Sequence, residues 1–375
     1  MPSSDVIIIG GGIIGLSLAH RLATERLRVV VLDRREPGLE ASWAAAGMLS
    51  AAPESPDDIS LVPLAKRSFA AYPDYIRAIE ESTGKVANFR RDGALDLFVG
   101  SSAETERDRT VTSHRKLGLA TQAVSTAEAC SIEPSLSKST FAAAWLPDEC
   151  SVEPRALTSA TLQAAKNRGA DVRANVEVKK LLIEGSRCVG IESPSEKFIA
   201  GNVVLAAGCF SSGIGGAARL APTQPVRGQM VSLRTVRHVP NHVVRSNKGY
   251  VVPRGNGLLV AGSTIEHVGF EKHVTAAGIS GILAAAIELL PELAGAAIEE
   301  TWCGLRPDTP DHLPLIGPTE FERLWLATGH YRNGILLAPV TSEILGDWIL
   351  RGKTEFDVEA YSPQRFTTEK TRAAL

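Results

Sequence analysis

A glycine-rich turn between two apolar runs constrains the fold of this chain more than any other feature. Residues 6–9 (VIII) are β-branched without polar alternation, which predicts a strand buried on both faces. Residues 14–25, after the glycines, have helical character, and residues 29–32 (VVVL) repeat the strand pattern. The order strand, glycine turn, helix, strand predicts a parallel βαβ unit.

The motif Gly10-x-Gly12-x-x-Gly15 inside this unit predicts a dinucleotide site. Gly10 allows the tight turn, Gly12 lets the backbone approach a pyrophosphate, and Gly15 permits close helix–strand packing. The helix N-terminus then turns its positive end toward the phosphates. Asp33, at the end of the second strand, is placed to accept hydrogen bonds from ribose hydroxyls. Arg34 alone would suggest a dinucleotide with a 2′-phosphate, but the Asp33 carboxylate would repel that group. The motif by itself fits NAD or FAD.

Residues 38–54 (GLEASWAAAGMLSAAPE) carry few bulky side chains. A backbone of this kind can pack closely against a flat ring and a phosphate, which favours a flavin dinucleotide. An Ala-rich helix is the alternative interpretation, because alanine has the highest helix propensity.

Composition narrows the class of protein. A chain of 375 residues is long enough for roughly two domains. Its net charge of −2 is mixed along the chain without a basic stripe, so we expect no nucleic-acid partner. Five cysteines without a CxxC pair predict reduced thiols, no metal site and a cytoplasmic location. The apolar stretch 6–19 is broken by glycines and has no basic region before it, so we expect neither a signal peptide nor a membrane span.

The rest of the chain alternates between helical and strand patterns. Alternating or β-branched runs at 225–233, 243–252 and 257–264 predict a separate, more antiparallel sheet. Residues 101–138 are polar and predict a solvated helical excursion without chemistry. The remaining helices are predicted at 62–82, 155–169, 274–290 and 335–350.

Three motifs give the chain a family resemblance. They are ASWAAAGM at 41–48, TWCGLRPDTPDHLPLIGP at 301–318 and GHYRNGILLAPVT at 329–341. With the glycine turn before them, they resemble the D-amino-acid oxidase family of FAD enzymes, and within it the glycine oxidases of thiamine biosynthesis. The resemblance extends from residue 6 to about residue 350.

The resemblance implies an α/β fold, α+β overall, with a Rossmann-like FAD-binding domain and a mostly antiparallel-sheet substrate domain. The FAD-binding domain is expected to be discontinuous, with residues 1–85, 150–222 and 305–365. The substrate domain would comprise residues 86–149 and 223–304, and residues 366–375 would form a flexible tail. Ligands commonly bind at such domain junctions, so we expect the pocket between the two.

The family also implies the site residues. Substrate contacts map to Tyr250, Arg306 and Arg332. Non-covalent FAD is expected at Gly10, Gly12, Ile13, Ile14, Gly15, Asp33, Arg34, Ala41, Ser42, Ala46, Gly47, Met48, Val178, Gly208, His330, Tyr331, Asn333, Gly334, Ile335 and Leu336. Val178, in a predicted NVEV strand, would meet the adenine with its backbone.

The predicted substrate residues have a physical rationale, but each also has a purely structural interpretation. A guanidinium binds a carboxylate through two parallel hydrogen bonds, so Arg306 is the best carboxylate clamp and Tyr250 a second donor. An arginine in a Leu-Arg-Pro turn is otherwise often a surface or ion-pair residue, and a tyrosine in an apolar strand is often core. Arg332 is expected above the flavin, where it acts partly through its charge.

Two histidines and one cysteine are further candidates for a chemical role. His267 and His330 are candidate proton relays, but a solvent-exposed or core histidine is the favoured interpretation of each. Cys303 stands close to the position at which related sarcosine oxidases tether flavin covalently. It is offset by one residue, and we expect a packed free thiol there.

The implied reaction is oxidative deamination of glycine and other small amines. Hydride passes to the flavin, an imine and hydrogen peroxide are formed, and the product supplies thiazole synthesis for thiamine. The implied partners are a small amino acid, molecular oxygen, a thiazole synthase and further copies of the chain, without a membrane. Three alternatives stay open: a sarcosine or D-amino-acid oxidase or a quinone-linked dehydrogenase of the same family, an NAD-dependent dehydrogenase, and a non-catalytic flavoprotein.

Overall fold

The computed structural model describes residues 4–53, 59–139, 141–236 and 240–366. Within them the strands, in chain order, are β1 (Ser4–Ile9), β2 (Val29–Leu32), β3 (Met48–Leu49), β4 (Ala94–Phe98), β5 (Gln122–Val124), β6 (Ala142–Leu146), β7 (Cys150–Ser151), β8 (Asp171–Arg173), β9 (Lys180–Glu184), β10 (Arg187–Glu192), β11 (Lys197–Leu205), β12 (Gln224–Arg234), β13 (Val243–Ser246), β14 (Gly249–Gly255), β15 (Leu258–Gly262), β16 (Ala297–Asp308), β17 (Leu315–Pro318) and β18 (Leu324–Thr328).

The α-helices of the same residues are α1 (Ile13–Thr24), α2 (Ala41–Ala44), α3 (Val62–Thr83), α4 (Ala103–Lys116), α5 (Thr126–Ile132), α6 (Pro154–Asn167), α7 (Ala276–Leu289) and α8 (Gly334–Arg351). Short 3₁₀ turns lie at Gly208–Gly213, Pro291–Gly295, Glu359–Tyr361 and Pro363–Phe366.

One sheet carries the N-terminal βαβ unit. Its strands run in the order β17-β18-β11-β1-β2-β8, and the central pairs β18/β11, β11/β1, β1/β2 and β2/β8 are parallel. Strands β9 and β10 add an antiparallel extension to the start of β11. The predicted strands and helix of the glycine-turn unit are confirmed.

Both faces of this sheet are covered, which explains the unbroken apolar strands. On one face Val6 and Ile8 pack with helices α1, α3, α6 and α8 in a single core. On the other face Ile7 and Ile9 pack with residues of β10, β11 and the segment after it. A strand buried on both sides gains nothing from polar alternation, so its sequence has none.

The second sheet is almost entirely antiparallel. Its order is β16-β12-β15-β14-β13-β4-β6-β5, and among the strand pairs that the structure describes in it, β13/β4 is parallel and the others are antiparallel. Helix α7 packs on one face against strands β12, β14 and β15. The α/β architecture with a mostly antiparallel second sheet is therefore as predicted.

Helix α6 shows how local sequence sets the element boundaries. The Glu153 carboxylate accepts hydrogen bonds from the first-turn N–H groups of Arg155 and Ala156, and Pro154 occupies the first turn. The chain then leaves the helix at Gly169, whose φ of +94° suits glycine. The predicted helix at 155–169 is confirmed with its glycine stop.

Two local predictions differ from the structure or extend past its described part. The predicted NVEV strand at 175–178 is absent, because Asn175 adopts a positive φ and the Val176 N–H donates to the carbonyl of Asp33. Val178 thus lies in a loop between β8 and β9. The predicted flexible tail begins at Phe366, which is buried, and its residues 367–375 lie outside the described residues.

All five cysteines lie in the described residues, and each is a free cysteine there. Among the helices that the structure describes, none combines the length and the apolarity that a membrane crossing requires.

Candidate active site

A cavity of about 760 Å³ is lined by residues of both sheets. On the side of the parallel sheet it begins beyond Ile9 and Leu32, at the carboxyl ends of β1 and β2. On the other side it meets one face of the antiparallel sheet, including Met230 and Tyr250. In α/β sheets, ligands bind at the carboxyl ends of the strands. The two sheets therefore enclose one site.

The glycine turn is shaped for a ligand that approaches its backbone. A Cβ on Gly10, whose φ is +111°, would lie 2.4 Å from the carbonyl oxygen of Ala206. A Cβ on Gly15 would lie 2.1 Å from the carbonyl oxygen of Gly10, so no side chain fits between helix and turn. A Cβ on Gly12 would meet only the Ser42 hydroxyl, at 3.3 Å, and Gly12 faces the cavity. This matches the division of roles expected for a pyrophosphate cradle.

Asp33 is fixed at the rim of this cradle. Its carboxylate accepts hydrogen bonds from the N–H groups of Gly11 (2.7 Å) and Arg35 (2.9 Å). Burial raises the pKa of Asp33, and the two N–H donors oppose that rise. Each carboxylate oxygen has a second lone pair, so the group can still accept a ligand hydroxyl.

Arg34 lines the cavity in a less direct way than the family pattern implies. Its guanidinium lies 3.4 Å above the ring of Phe210 and forms an ion pair with Glu40 at 3.2 Å. Phe210 in turn stacks on Phe270, with ring centroids 5.1 Å apart. Cation–π contact and ion pair together hold Arg34 beside the site.

The small-residue segment 41–48 forms a short helix, α2, and then an extended stretch along the cavity. The Ser42 hydroxyl accepts a hydrogen bond from the N–H of Ile13 at 2.9 Å, which joins the segment to the start of α1. Gly47 has a φ of +72°, and a Cβ there would lie 2.1 Å from the carbonyl oxygen of Val152. The segment thus combines the two predicted structures: one helical turn comes first, and an extended stretch with small side chains follows it along the cavity.

The turn before α8 closes the cavity from the C-terminal side. The N–H of Tyr331, at a φ of +45°, donates to the carbonyl of Pro307 at 2.8 Å. Gly334 and Ile335 begin α8 and line the cavity. The first N–H groups of a helix have no partner within the helix, so the positive end of α8 faces the cavity.

His330 in this turn is a core histidine. It is buried, and its Nε2 hydrogen-bonds the Thr341 hydroxyl at 3.0 Å. Burial lowers the pKa of His330 to about 3, so the ring is neutral at physiological pH. His267, the other relay candidate, is exposed and is not among the described lining residues.

Arg306 is oriented by the antiparallel sheet. Its Nη1 donates to the carbonyls of Thr264 (3.1 Å) and Arg227 (3.4 Å), and its Nη2 donates to the Ser263 hydroxyl (2.6 Å). Gly228 makes the space, because a Cβ there would lie within 2.3–2.5 Å of the guanidinium. The sheet thus holds the guanidinium plane at the cavity wall.

Tyr250 lies on the same face of that sheet. Its hydroxyl donates to the Met230 sulfur at 3.3 Å. A thioether is a weak acceptor, so a ligand carboxylate would compete well for this hydroxyl. Gly262 stands opposite both Met230 and Tyr250 in the strand register and leaves the space between them. Arg332, half-buried, also lines the cavity.

The sequence-predicted residues are brought together with two exceptions. Gly15 lies behind the turn against Gly10, and Leu336 lies in the core, where its carbonyl accepts a hydrogen bond from the Ser68 hydroxyl. The others all line the cavity: Gly10, Gly12, Ile13, Ile14, Asp33, Arg34, Ala41, Ser42, Ala46, Gly47, Met48, Val178, Gly208, Tyr250, Arg306, His330, Tyr331, Arg332, Asn333, Gly334 and Ile335. Cys303 is not among the described lining residues.

Sequence reasoning missed one part of the cavity wall. Arg245 lines it beside Tyr250 and forms ion pairs with Asp96 (2.6 Å) and Glu149 (2.9 Å). Burial raises the pKa of Glu149, although Arg245 opposes the rise. His114, from the supposedly inert segment 101–138, lines the same region. The only sequence signal was a lone arginine in an otherwise apolar strand, which does not identify its partners.

The chain matches a known family over most of its length. The pattern of the FAD-dependent oxidoreductases, abbreviated DAO, fits residues 5–348. The glycine oxidase of Geobacillus kaustophilus is 33% identical, covering 96% of this chain and 97% of the relative. The crystal structure of the glycine oxidase from that organism superposes with a TM-score of 0.93, covering 96% of this chain and 98% of the solved chain.

Other similar proteins have different names. The bifunctional protein ThiO/ThiG of Trichormus variabilis is 33% identical over 376 residues, which cover 99% of this chain but 56% of the relative. This chain thus spans about half the length of such bifunctional relatives. The L-proline dehydrogenase of P. horikoshii is 26% identical with a TM-score of 0.86, covering 98% of this chain and 99% of the solved chain. From the fold, the cavity and these likenesses together, the chain belongs to the family of FAD-dependent oxidoreductases that includes the glycine oxidases.

Proposed function

We propose that this protein catalyses the FAD-dependent oxidative deamination of glycine and other small amines. The observation that carries the proposal is the shared cavity, in which Arg306 and Tyr250 face the same space as the dinucleotide cradle at Gly12. A small carboxylate bound at Arg306 would lie inside the cofactor site. The glycine oxidases among its relatives support glycine as the substrate.

The residues present fit FAD. Gly12 lines the cavity with backbone that a ligand can approach, and Asp33 offers a carboxylate to a ribose. The N-terminal ends of α1 and α8 both face the cavity, so two helix dipoles would favour negative charge there. Such donors suit a pyrophosphate and a ring that gains negative charge on reduction. We also propose that FAD is bound without a covalent link, since Cys303 is not among the described residues that line the cavity.

Substrate binding would depend on Arg306, Tyr250 and Arg332. Arg306 would pair with the carboxylate in a fixed plane, and Tyr250 would exchange its weak bond to Met230 for one to the same carboxylate. A desolvated pocket beside arginines lowers the pKa of a bound ammonium through both burial and like-charge repulsion. The amine would therefore bind in its neutral form, which is the form that can be oxidised.

No side chain is required as a general base in this scheme. His330 is neutral, buried and engaged with Thr341, so it serves packing. The flavin, when bound, supplies the redox chemistry by accepting a hydride from the substrate Cα and passing the electrons to O₂, which yields an imine and hydrogen peroxide. The protein supplies position, charge and the exclusion of water.

Steady-state kinetics with glycine, sarcosine, D-alanine and D-proline test the substrate assignment. The proposal expects glycine to be turned over with production of hydrogen peroxide. Negligible turnover of glycine beside strong activity on another of these amines would replace it with the sarcosine or D-amino-acid alternative. Turnover that needs a quinone and proceeds without oxygen would make the protein a dehydrogenase.

The two other classes predict different proteins. An NAD-dependent dehydrogenase would be colourless and would bind NAD without flavin. A non-catalytic flavoprotein would be yellow, and none of these amines would bleach it without oxygen. Purified protein that is yellow and is bleached by glycine excludes both.

The cellular setting is part of the same proposal. Two relatives are named bifunctional protein ThiO/ThiG. These names support the proposal that the imine is supplied to thiazole synthesis for thiamine, with a thiazole synthase as the partner. We place this chemistry in the cytoplasm, in a homo-oligomer. We also retain the division into residues 1–85, 150–222 and 305–365 for FAD and 86–149 and 223–304 for substrate. Light scattering tests the oligomer, and co-purification with thiazole synthase tests the partner.

A further inference from the structure

The end of helix α2 and the extended stretch after it are held through their carbonyl groups by residues that are not among the described lining of the cavity. The Arg155 Nε donates to the carbonyl of Trp43 at 3.3 Å, and the Trp302 indole N–H donates to the carbonyl of Ala44 at 3.1 Å. Strand β16 runs very close to Ala44. A Cβ on Gly304, two residues after Trp302 on this strand, would lie 2.4 Å from the Ala44 Cβ. Strand β16 thus fixes the first half of the stretch.

The second half is held in the same way. Arg254 Nη2 donates to the carbonyl of Ala46, and its Nη1 donates to the carbonyl of Val152 at 2.9 Å. The Val152 N–H donates to the carbonyl of Gly47 at 2.9 Å. Burial lowers the pKa of Arg254 to about 10, so the cation persists at neutral pH.

The direction of these carbonyls determines the direction of the N–H groups. In a planar trans peptide the carbonyl and the following N–H point in opposite directions. The donors Trp302, Arg254 and Val152 are not among the described lining residues of the cavity, whereas the segment they hold is. The N–H groups that follow the carbonyls of Ala44, Ala46 and Gly47 belong to Ala45, Gly47 and Met48, which line the cavity, and they point away from these donors. The N–H after the Trp43 carbonyl, that of Ala44, donates instead to the carbonyl of Glu40.

A stacked cation reinforces the arrangement. The Arg155 guanidinium lies 3.5 Å above the ring of Trp43 and 4.7 Å from the ring of Trp302, and it forms an ion pair with Glu300 at 2.8 Å. The two indoles meet edge to face with centroids 6.1 Å apart. Trp43 therefore has a role besides packing, since it keeps Arg155 where its Nε reaches the backbone.

We propose that Trp302 and Arg254 are positioning residues for the cofactor. By holding the carbonyls of Ala44 and Ala46, they direct the following backbone N–H groups, those of Ala45 and Gly47, to the bound flavin. These donors stabilise the cofactor and favour the negative charge it gains on reduction. The inference rests on FAD binding in this cavity, but it does not depend on glycine being the substrate.

The Trp302→Phe variant tests the proposal with the smallest change, because it removes one N–H donor and keeps a ring. FAD affinity should fall about tenfold, as expected for loss of one buried hydrogen bond, and the flavin midpoint potential should become more negative. Fluorescence titration of apoprotein with FAD and a dye-coupled reduction measure the two. Trp325→Phe is the matched control, since its indole bonds Asn202 at 3.0 Å away from the cavity, and neither value should change.

Arg254→Met provides a second, independent variant, with Arg365→Met as its control. Arg365 also donates to backbone carbonyls, those of Pro314 and Leu313, but not at the cavity. Weaker FAD binding and a lower potential are expected for Arg254→Met alone. Unchanged affinity and potential in folded Trp302→Phe and Arg254→Met proteins would overturn the inference. Wild-type protein that binds FAD but does not oxidise glycine would contradict the proposed function and leave this inference standing.

Discussion

The cofactor half and the substrate half of the cavity are built in different ways. On the cofactor side, Gly11 and Asp33 are joined by a hydrogen bond across 22 residues, within one βαβ unit. On the substrate side, Arg306 bonds the carbonyl of Arg227 across 79 residues, through the antiparallel pairing of β12 with β16. The first half is a local motif, and the second is a product of strand register.

This difference decides what a substitution can disturb. Changes in the glycine turn should affect FAD binding or the packing of α1, whereas changes around Arg306 should affect substrate binding and leave FAD in place. The register places Gly228 beside the guanidinium of Arg306 and brings Met230 next to Tyr250. Substitutions on the two sides can therefore be separated by measuring cofactor and substrate independently.

Arg306→Met should have the largest effect on the substrate side. Loss of a bidentate, charge-assisted clamp should lower kcat/KM for glycine by roughly 10³-fold, with the FAD content unchanged. Steady-state kinetics and the visible spectrum measure both quantities. Arg234→Met, on β12, breaks an exposed ion pair with Glu299 of β16; it is the control and should be near wild type. FAD-free Arg306→Met protein would make Arg306 a structural residue.

Gly228→Ala should have the next largest effect and should sharpen the comparison. The added Cβ would lie within 2.5 Å of the flexible end of Arg306, so the guanidinium moves while the sheet stays folded. We expect kcat/KM to fall about 10²-fold, mainly through KM, with normal FAD binding. Gly281→Ala, on α7 with open space around it, is the matched control. Unaltered kinetics of Gly228→Ala would show that the position of Arg306 does not matter.

On the cofactor side, Gly12→Ala and Gly15→Ala should differ. A Cβ on Gly12 would meet only the Ser42 hydroxyl, at 3.3 Å, and both residues line the cavity, so FAD affinity should fall about tenfold while the apoprotein keeps its melting temperature. The Gly15 Cβ would meet the Gly10 carbonyl, so the apoprotein itself should melt several degrees lower. Fluorescence titration and calorimetry of apoprotein make the distinction. Equal effects of the two variants on both measurements would contradict the separate roles assigned to Gly12 and Gly15.

His330→Gln should have the smallest effect at neutral pH and a clear one in acid. Because the folded-state pKa of His330 is depressed to about 3, its stabilising contribution is present above pH 6.5 and is lost as pH falls toward 3. The wild-type free energy of unfolding should lose up to about 1.4 kcal/mol per pH unit in that window from this group. Gln keeps a polar atom for Thr341 without the ionisation. Identical acid profiles for both proteins, from denaturant titrations, would contradict a buried neutral His330.

The limits of prediction follow the same division. The strand at 29–32 and the helix after the glycine turn can be predicted from the sequence, because their signals are an apolar pattern and glycines within the same short segment. The NVEV stretch is predicted to be a strand but forms a loop, because the positive φ of Asn175 and the hydrogen bond from the Val176 N–H to the Asp33 carbonyl divert its backbone. That bond joins distant residues, and no local propensity reports it.

The substrate wall shows the same limit more strongly. Arg306 and Tyr250 could be named only through family motifs, since an arginine before a proline is as often a surface or ion-pair residue. The triad of Arg245, Asp96 and Glu149 was missed, because its members come from strand β13, strand β4 and the turn before β7. Buried ion pairs depend on three-dimensional neighbours, which the sequence pattern does not encode.

Anaerobic addition of glycine to the purified protein tests the central claim most directly, namely that substrate and flavin share one cavity. The visible flavin absorption of the wild-type protein should be bleached by glycine and restored by air. Gly228→Ala should need far more glycine for the same bleaching, and its starting spectrum should be that of the wild type. A bound flavin that glycine, sarcosine, D-alanine and D-proline all leave oxidised would contradict the account.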